Sequence, residues 1–121
     1  MSGECLRLLI VEPEPLIAID IERIVGDIYQ CEAMIVTDLA KAPSDAWDLV
    51  ICDCPELTTC FVTRLTGFLP EGAGVVLVSA SDGVVNAQSP WPHVGKPFAN
   101  SLLLKAVERA LATRPMPDEP A

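Results

Sequence analysis

Four short hydrophobic runs in this sequence each end in a side chain that could do chemistry. Glu12 and Glu14 follow LLIV (8–11), Asp53 ends DLVICD (48–53), Ser79 follows VVLV (75–78), and Lys96 follows HVG (93–95). A carboxylate so placed can attack a phosphoryl group and become an aspartyl phosphate. The transferred group carries charge on three oxygens, so it needs a cation and fixed donors around it. Lys96 would supply a cation and Ser79 a hydroxyl donor. Carboxylates from a second run would help to hold Mg2+, which prefers oxygen ligands in octahedral array.

These groups can act together only if the runs are strands whose ends lie side by side. Residues 6–11 (LRLLIV) read as a strand buried on both faces. Pro15 fits the first turn of a helix, where its missing N–H is harmless. Leu16, Ile17, Ile19, Ile21, Ile24, Val25 and Ile28 then recur as an apolar stripe, and the spacing predicts a helix over 15–28. A weaker strand is expected over 33–36. Pro43 limits 38–47 to a short helix at most. A strand over 48–53 precedes a helix within 56–69, with Phe61, Leu65 and Phe68 on one side. VVLV is the clearest strand. Gly83, Pro90 and Pro92 keep any helix within 81–92 short or frayed. His93 and Val94 make a brief last strand, and Asn100 caps a final helix carrying Leu103, Leu104, Val107, Ala110 and Leu111 at helical spacing. Strands alternating with helices predict an α/β domain whose parallel sheet is covered on both faces. In such a sheet functional groups gather at the carboxyl ends of the strands.

The 121 residues suit one domain, and half of them are hydrophobic, ample for a packed interior. The formal charge of −9, from 17 acids against 8 Lys plus Arg, argues against nucleic acid as a direct partner, since phosphate contacts need a basic face. No run approaches the length of a membrane span, and no signal peptide is recognisable. Five cysteines, an odd number, are then expected as thiols in a reduced cytoplasm. The tail over 113–121 is expected to be disordered.

LLIVEPEPLIA (8–18), DLVICD (48–53), VVLVSA (75–80), and GKPF followed by LLLKAVERAL (95–98 and 102–111) together resemble the receiver domain of two-component response regulators. No single piece is specific; all four in order, each at a strand end, carry the resemblance over roughly 5–112. It implies a doubly wound, flavodoxin-like α/β domain, with five parallel strands and helices on both faces, formed by residues 1–112 as one unit. It implies that Asp53 accepts a phosphoryl group from a histidine kinase or phosphotransfer protein, and that Glu12 and Asp53 bind Mg2+. Ser79 becomes the hydroxyl switch residue, Lys96 contacts the phosphoryl oxygens, and the Lys96–Pro97 bond is cis. Output is contact with a downstream protein; the domain is no enzyme beyond its own phosphorylation and dephosphorylation. A homodimer is left open.

The departures are specific. Pro13 stands where the family places its direct metal-ligating acid, and it offers neither a carboxylate nor an N–H. Glu14 matches a position that is not normally a ligand. The second and fourth helices are short, and His93 stands where the family has its switch aromatic. The alternative is therefore a pseudo-receiver, a binding module of the same fold working without Mg2+-dependent phosphorylation.

Each group also has a plainer reading. Asp53 and Glu12 could be solvated acids, Lys96 a surface lysine and Ser79 a turn former. Cys52 and Cys54 flank Asp53, but residues two apart on a strand share a face, and a free thiol packs there as a small hydrophobe. His93 does not complete a zinc set with them; it reads as a partly exposed loop residue. No GxSxG elbow, GxxxxGK loop or second aspartate after Asp53 points to a hydrolase, nucleotide-binding or phosphatase site.

Overall fold

The unbroken hydrophobic runs have their physical reason in a sheet covered on both faces. In the computed structural model, which describes residues 5–55, 58–70, 72–80 and 91–112, these runs form β1 (Leu6–Val11), β2 (Cys31–Val36), β3 (Leu49–Asp53), β4 (Gly74–Ser79) and β5 (His93–Gly95). They build one sheet of order β2-β1-β3-β4-β5, every neighbouring pair parallel. The expected short helix within 81–92 falls mostly on residues 81–90, and the tail is 113–121; both lie outside the described residues. None of the helices described is long and apolar enough to cross a membrane.

Alternation along each strand sends side chains to two cores. Leu8, Ile10, Leu49, Ile51, Val76 and Val78 face α1 (Pro15–Gly26) and α3 (Asn100–Ala112), where Ile21, Val25, Leu103 and Val107 meet them. Leu9, Val11, Val50, Cys52, Val75 and Leu77 face the other way, toward α2 (Thr59–Phe68) and its buried Leu65. Each large aliphatic side chain so buried contributes roughly 1.5–3 kcal/mol. Gly74 starts β4 where α3 crosses closely: a Cβ there would stand 2.9 Å from the Ala110 carbonyl oxygen.

The helix expected over 15–28 ends at Gly26 instead. The glycine is a poor helix former, and the chain turns through Asp27 and Ile28, with the Tyr29 N–H on the Val25 carbonyl at 2.8 Å. Three of the seven apolar positions in the expected stripe are exposed: Leu16 and Ile19 on the solvent side of α1, and Ile28 beyond its end. β2 and β4 are longer than their expected cores over 33–36 and 75–78 because ladder bonds recruit Cys31, Glu32, Gly74 and Ser79.

The second helix has shrunk to a single 3₁₀ turn, Leu39–Lys41, started by the Asp38 side chain accepting from the Ala40 N–H. Trp47 packs into the same core and replaces part of the missing cover. It is 4% exposed and donates its indole N–H to the Pro43 carbonyl at 3.1 Å. Arg7, at the start of β1, lies over its ring at 5.4 Å. Trp47 therefore belongs to the amino end of the sheet, opposite Asp53.

Candidate functional site

The strand order reverses between β1 and β3, whose first connections run to opposite edges. In open parallel sheets such a switch point leaves a crevice outside the carboxyl ends. Glu12 and Asp53 stand on its two sides. The ladder that places Asp53 pairs it with Val78 and continues one residue further, the Cys54 N–H reaching the Val78 carbonyl at 2.9 Å. Glu12 is placed by its own N–H on the Val36 carbonyl, also at 2.9 Å. Its carboxylate turns inward and is only 1% exposed.

Lys96 closes the group from the far edge. Its backbone N–H donates to the Ser79 carbonyl at 2.8 Å, and its peptide bond to Pro97 is cis. The ammonium donates to Asp53 Oδ1 at 2.7 Å and to Glu12 Oε2 at 3.0 Å. Glu12 Oε1 faces the same nitrogen at 2.8 Å, as an ion pair without hydrogen-bond geometry. The Glu14 N–H, at the start of α1, adds a bond to Oε2 at 3.2 Å. Burial would lower the lysine pKa, but the hydrogen bonds and charges of Asp53 and Glu12 outweigh it, and the ammonium is held above its ordinary value. One cation thus spans two carboxylates, a short-range arrangement that stays charged because each partner is charged.

The structure brings together Glu12, Asp53 and Lys96. Ser79 is buried at the end of β4, joined to the group through its carbonyl. His93 stands apart, opening β5 two residues before that strand ends and opposite Leu77. It is half-buried, lines a cavity of about 180 Å³ with Leu102, Lys105 and Arg109 of α3, and its buried Nε2 has no hydrogen-bond partner among the described residues. Burial holds its pKa below the ordinary value. The brief strand expected at His93 and Val94 forms by ladder pairing with β4, so His93 is a strand residue and not the loop residue of the plainer reading. Cys52 and Cys54 are core residues, both on the α2 face, and the Cys52 thiol is pushed up to about 12 by burial and then by Cys54, Asp53 and Glu12.

Three residues that the sequence did not single out share the crevice. Thr37, Asp38 and Arg64 line a cleft of about 290 Å³ together with Pro13, Cys52 and Asp53. No spacing rule announces them, because the cleft joins residues from separate segments of the chain.

No protein-family model matches the sequence, and no curated protein gives a significant match. Solved structures do. A response regulator receiver protein from Sinorhizobium medicae superposes with a TM-score of 0.72 at 23% identity, over 94% of this chain and 100% of that one. The receiver domain of PhyR from Erythrobacter litoralis gives 0.72 at 20%, over 98% and 99%. The chemotaxis protein CheY4 of Vibrio cholerae gives 0.61 at 20%, over 89% and 100%.

This chain has the response regulator receiver fold.

Receiver domains generally bind Mg2+ at the phosphorylation site, and the side chains present here are a poor fit for it. Pro13 is exposed on the cleft and brings no carboxylate. The two acids that remain already share the Lys96 ammonium, which stands between them. Glu14 caps α1 with its backbone and is exposed. Among the described residues no group of three or more His, Cys, Asp or Glu side chains is placed to hold a metal ion.

Proposed function

We propose that this receiver-fold chain is a signalling module in which Asp53 accepts a phosphoryl group from a histidine kinase or a phosphotransfer protein. The observation that carries the reading is the Lys96 ammonium 2.7 Å from Asp53 Oδ1, at the switch point of the sheet. Asp53 keeps 17% of its side-chain surface exposed, so a donor can reach it. With Oδ1 held by the lysine, Oδ2 is the nucleophile. It forms the new O–P bond as the N–P bond of a phosphohistidine breaks, and the imidazole leaves with the electron pair and takes a proton. The lysine then steadies charge on the phosphoryl oxygens. Signalling follows through contact with a downstream protein. This reading keeps the protein in the cytoplasm and away from nucleic acid, in line with its acidity.

A pseudo-receiver is the second reading, favoured by one observation: Lys96 bridges Glu12 and Asp53, beside a Pro13 that adds no ligand. The module would then bind partners in this one charge state.

Intact-mass analysis after incubation with a small acyl phosphate, with and without Mg2+, separates the two. A gain of one phosphoryl group that Asp53→Asn abolishes supports the acceptor. No gain under either condition, and none with a histidine kinase supplied, leaves the pseudo-receiver.

A further inference from the structure

We propose that the charge of a phosphoryl group on Asp53 is met by two side chains of this chain, Lys96 and Arg64, in place of a divalent metal ion. The inference rests on Asp53 being the acceptor.

Charge arithmetic makes the need. Phosphorylation uses up the negative charge of the Asp53 carboxylate and leaves a phosphoryl group of about −1.5 to −2 at neutral pH, a net addition of about −0.5 to −1. The site already holds Glu12 and Asp53 against a single ammonium, in a chain of net charge −9. Lys96 therefore cannot balance the product alone. Glu12 is committed inward, buried against that ammonium and bonded by the Glu14 N–H, and Pro13 adds no oxygen ligand. An added metal ion would have to compete with the lysine for the two acids.

Arg64 stands in the right place for the missing charge. It projects from α2 and lines the same cleft as Asp53 and Pro13. Its charge reaches the Cys52 thiol, the residue preceding Asp53, where it opposes the rise in pKa. None of the ion pairs among the described residues uses Arg64. Asp38, which lines the same cleft, accepts the Ala40 N–H at Oδ1. Thr37, on the same wall, can give its hydroxyl proton to a phosphoryl oxygen. A planar guanidinium fits phosphoryl oxygens two at a time, which a lysine does not. Beside the cleft the chain over 38–47 holds only the single 3₁₀ turn Leu39–Lys41.

The test uses the full chain and a small acyl phosphate, in Mg2+ and separately in EDTA. Wild type, Arg64→Gln, Arg64→Lys and Pro13→Asp are compared by intact mass, with circular dichroism to verify folding; Arg64 is exposed, so its variants are expected to fold. Wild-type labelling should proceed at rates within about twofold in the two media, Arg64→Gln should slow it at least about tenfold in both, and Arg64→Lys should recover part. Pro13→Asp should make labelling Mg2+-dependent. Wild-type labelling that EDTA abolishes, or Arg64→Gln labelling at the wild-type rate, overturns the inference while leaving the acceptor intact. No wild-type labelling in either medium overturns the acceptor reading itself, and the inference with it.

Discussion

The backbone N–H of Lys96 donates to the carbonyl of Ser79 at 2.8 Å, fastening the end of β5 to the end of β4. With Gly95 opposite Ser79 in the ladder, this bond sets where the lysine side chain begins. From there the ammonium reaches across β4 to Asp53 on β3 and on to Glu12 beyond β1.

Removing that ammonium leaves a fully buried glutamate without its counter-charge. Breaking a buried ion pair by deleting one partner costs about 3–5 kcal/mol, and the partial exposure of Lys96 and Asp53 puts Lys96→Met nearer ~2–3 kcal/mol. Urea unfolding measures this directly. Adding Glu12→Gln to Lys96→Met should restore part of the loss, because the orphaned charge is then gone; equal losses in the single and double variants would contradict the clamp.

The same pair predicts a pH dependence at the alkaline end. The folded-state pKa of Lys96 lies above its ordinary 10.5. Such a group stabilises the fold fully below its unfolded pKa, and the gain disappears as pH rises through the folded value. The stability difference between wild type and Lys96→Met should stay constant from about pH 7 to 9 and shrink above roughly 10.5. Urea midpoints taken across that range would show it.

His93 is the single histidine of the chain, so its titration can be read without assignment. Burial favours the neutral ring, and the imidazole should titrate below 6.5. Proton NMR of the ring Cε1–H gives the midpoint. With the folded pKa lowered, the unfolded chain binds the proton more readily, so stability falls as pH drops from 6.5 toward the folded value.

The thiols should differ sharply in reactivity. Cys60 is exposed on α2, whereas Cys52 is buried with its pKa pushed up to about 12. Because the thiolate is the reactive form, iodoacetamide at about pH 8 should modify Cys60 first and spare Cys52 until the protein unfolds. Peptide mass mapping over time distinguishes the two, and early loss of Cys52 would mean that the core around Asp53 opens readily.

Much of this was legible in the residues. Asp53, Glu12 and Lys96 each announce themselves by ending an apolar run, a local pattern that needs no knowledge of the partner strand. Pro15 fits the first helical turn, and it stands at the start of α1. The α1 stripe was less legible, because helical period alone does not say which apolar positions meet the sheet and which, like Leu16 and Ile19, face solvent. The brief strand at His93 and Val94 was legible, but its edge position and the turn of the His93 side toward α3 depend on pairing with β4. Arg64 was invisible, because its relevance depends on a cleft bounded by residues 27 positions away in sequence, at Thr37.

By itself the sequence determined the strand–helix alternation, the positions of the chemical groups at strand ends, and a proline with neither carboxylate nor N–H between Glu12 and Glu14. Those follow from side-chain period and from what proline lacks, both local properties. Only the tertiary structure decided that one ammonium would span Glu12 and Asp53, that His93 would stand off toward α3, and that Arg64 would share a cleft with Asp53. Each depends on distances between elements, which the packing of side chains across the sheet sets and which no short stretch of chain encodes.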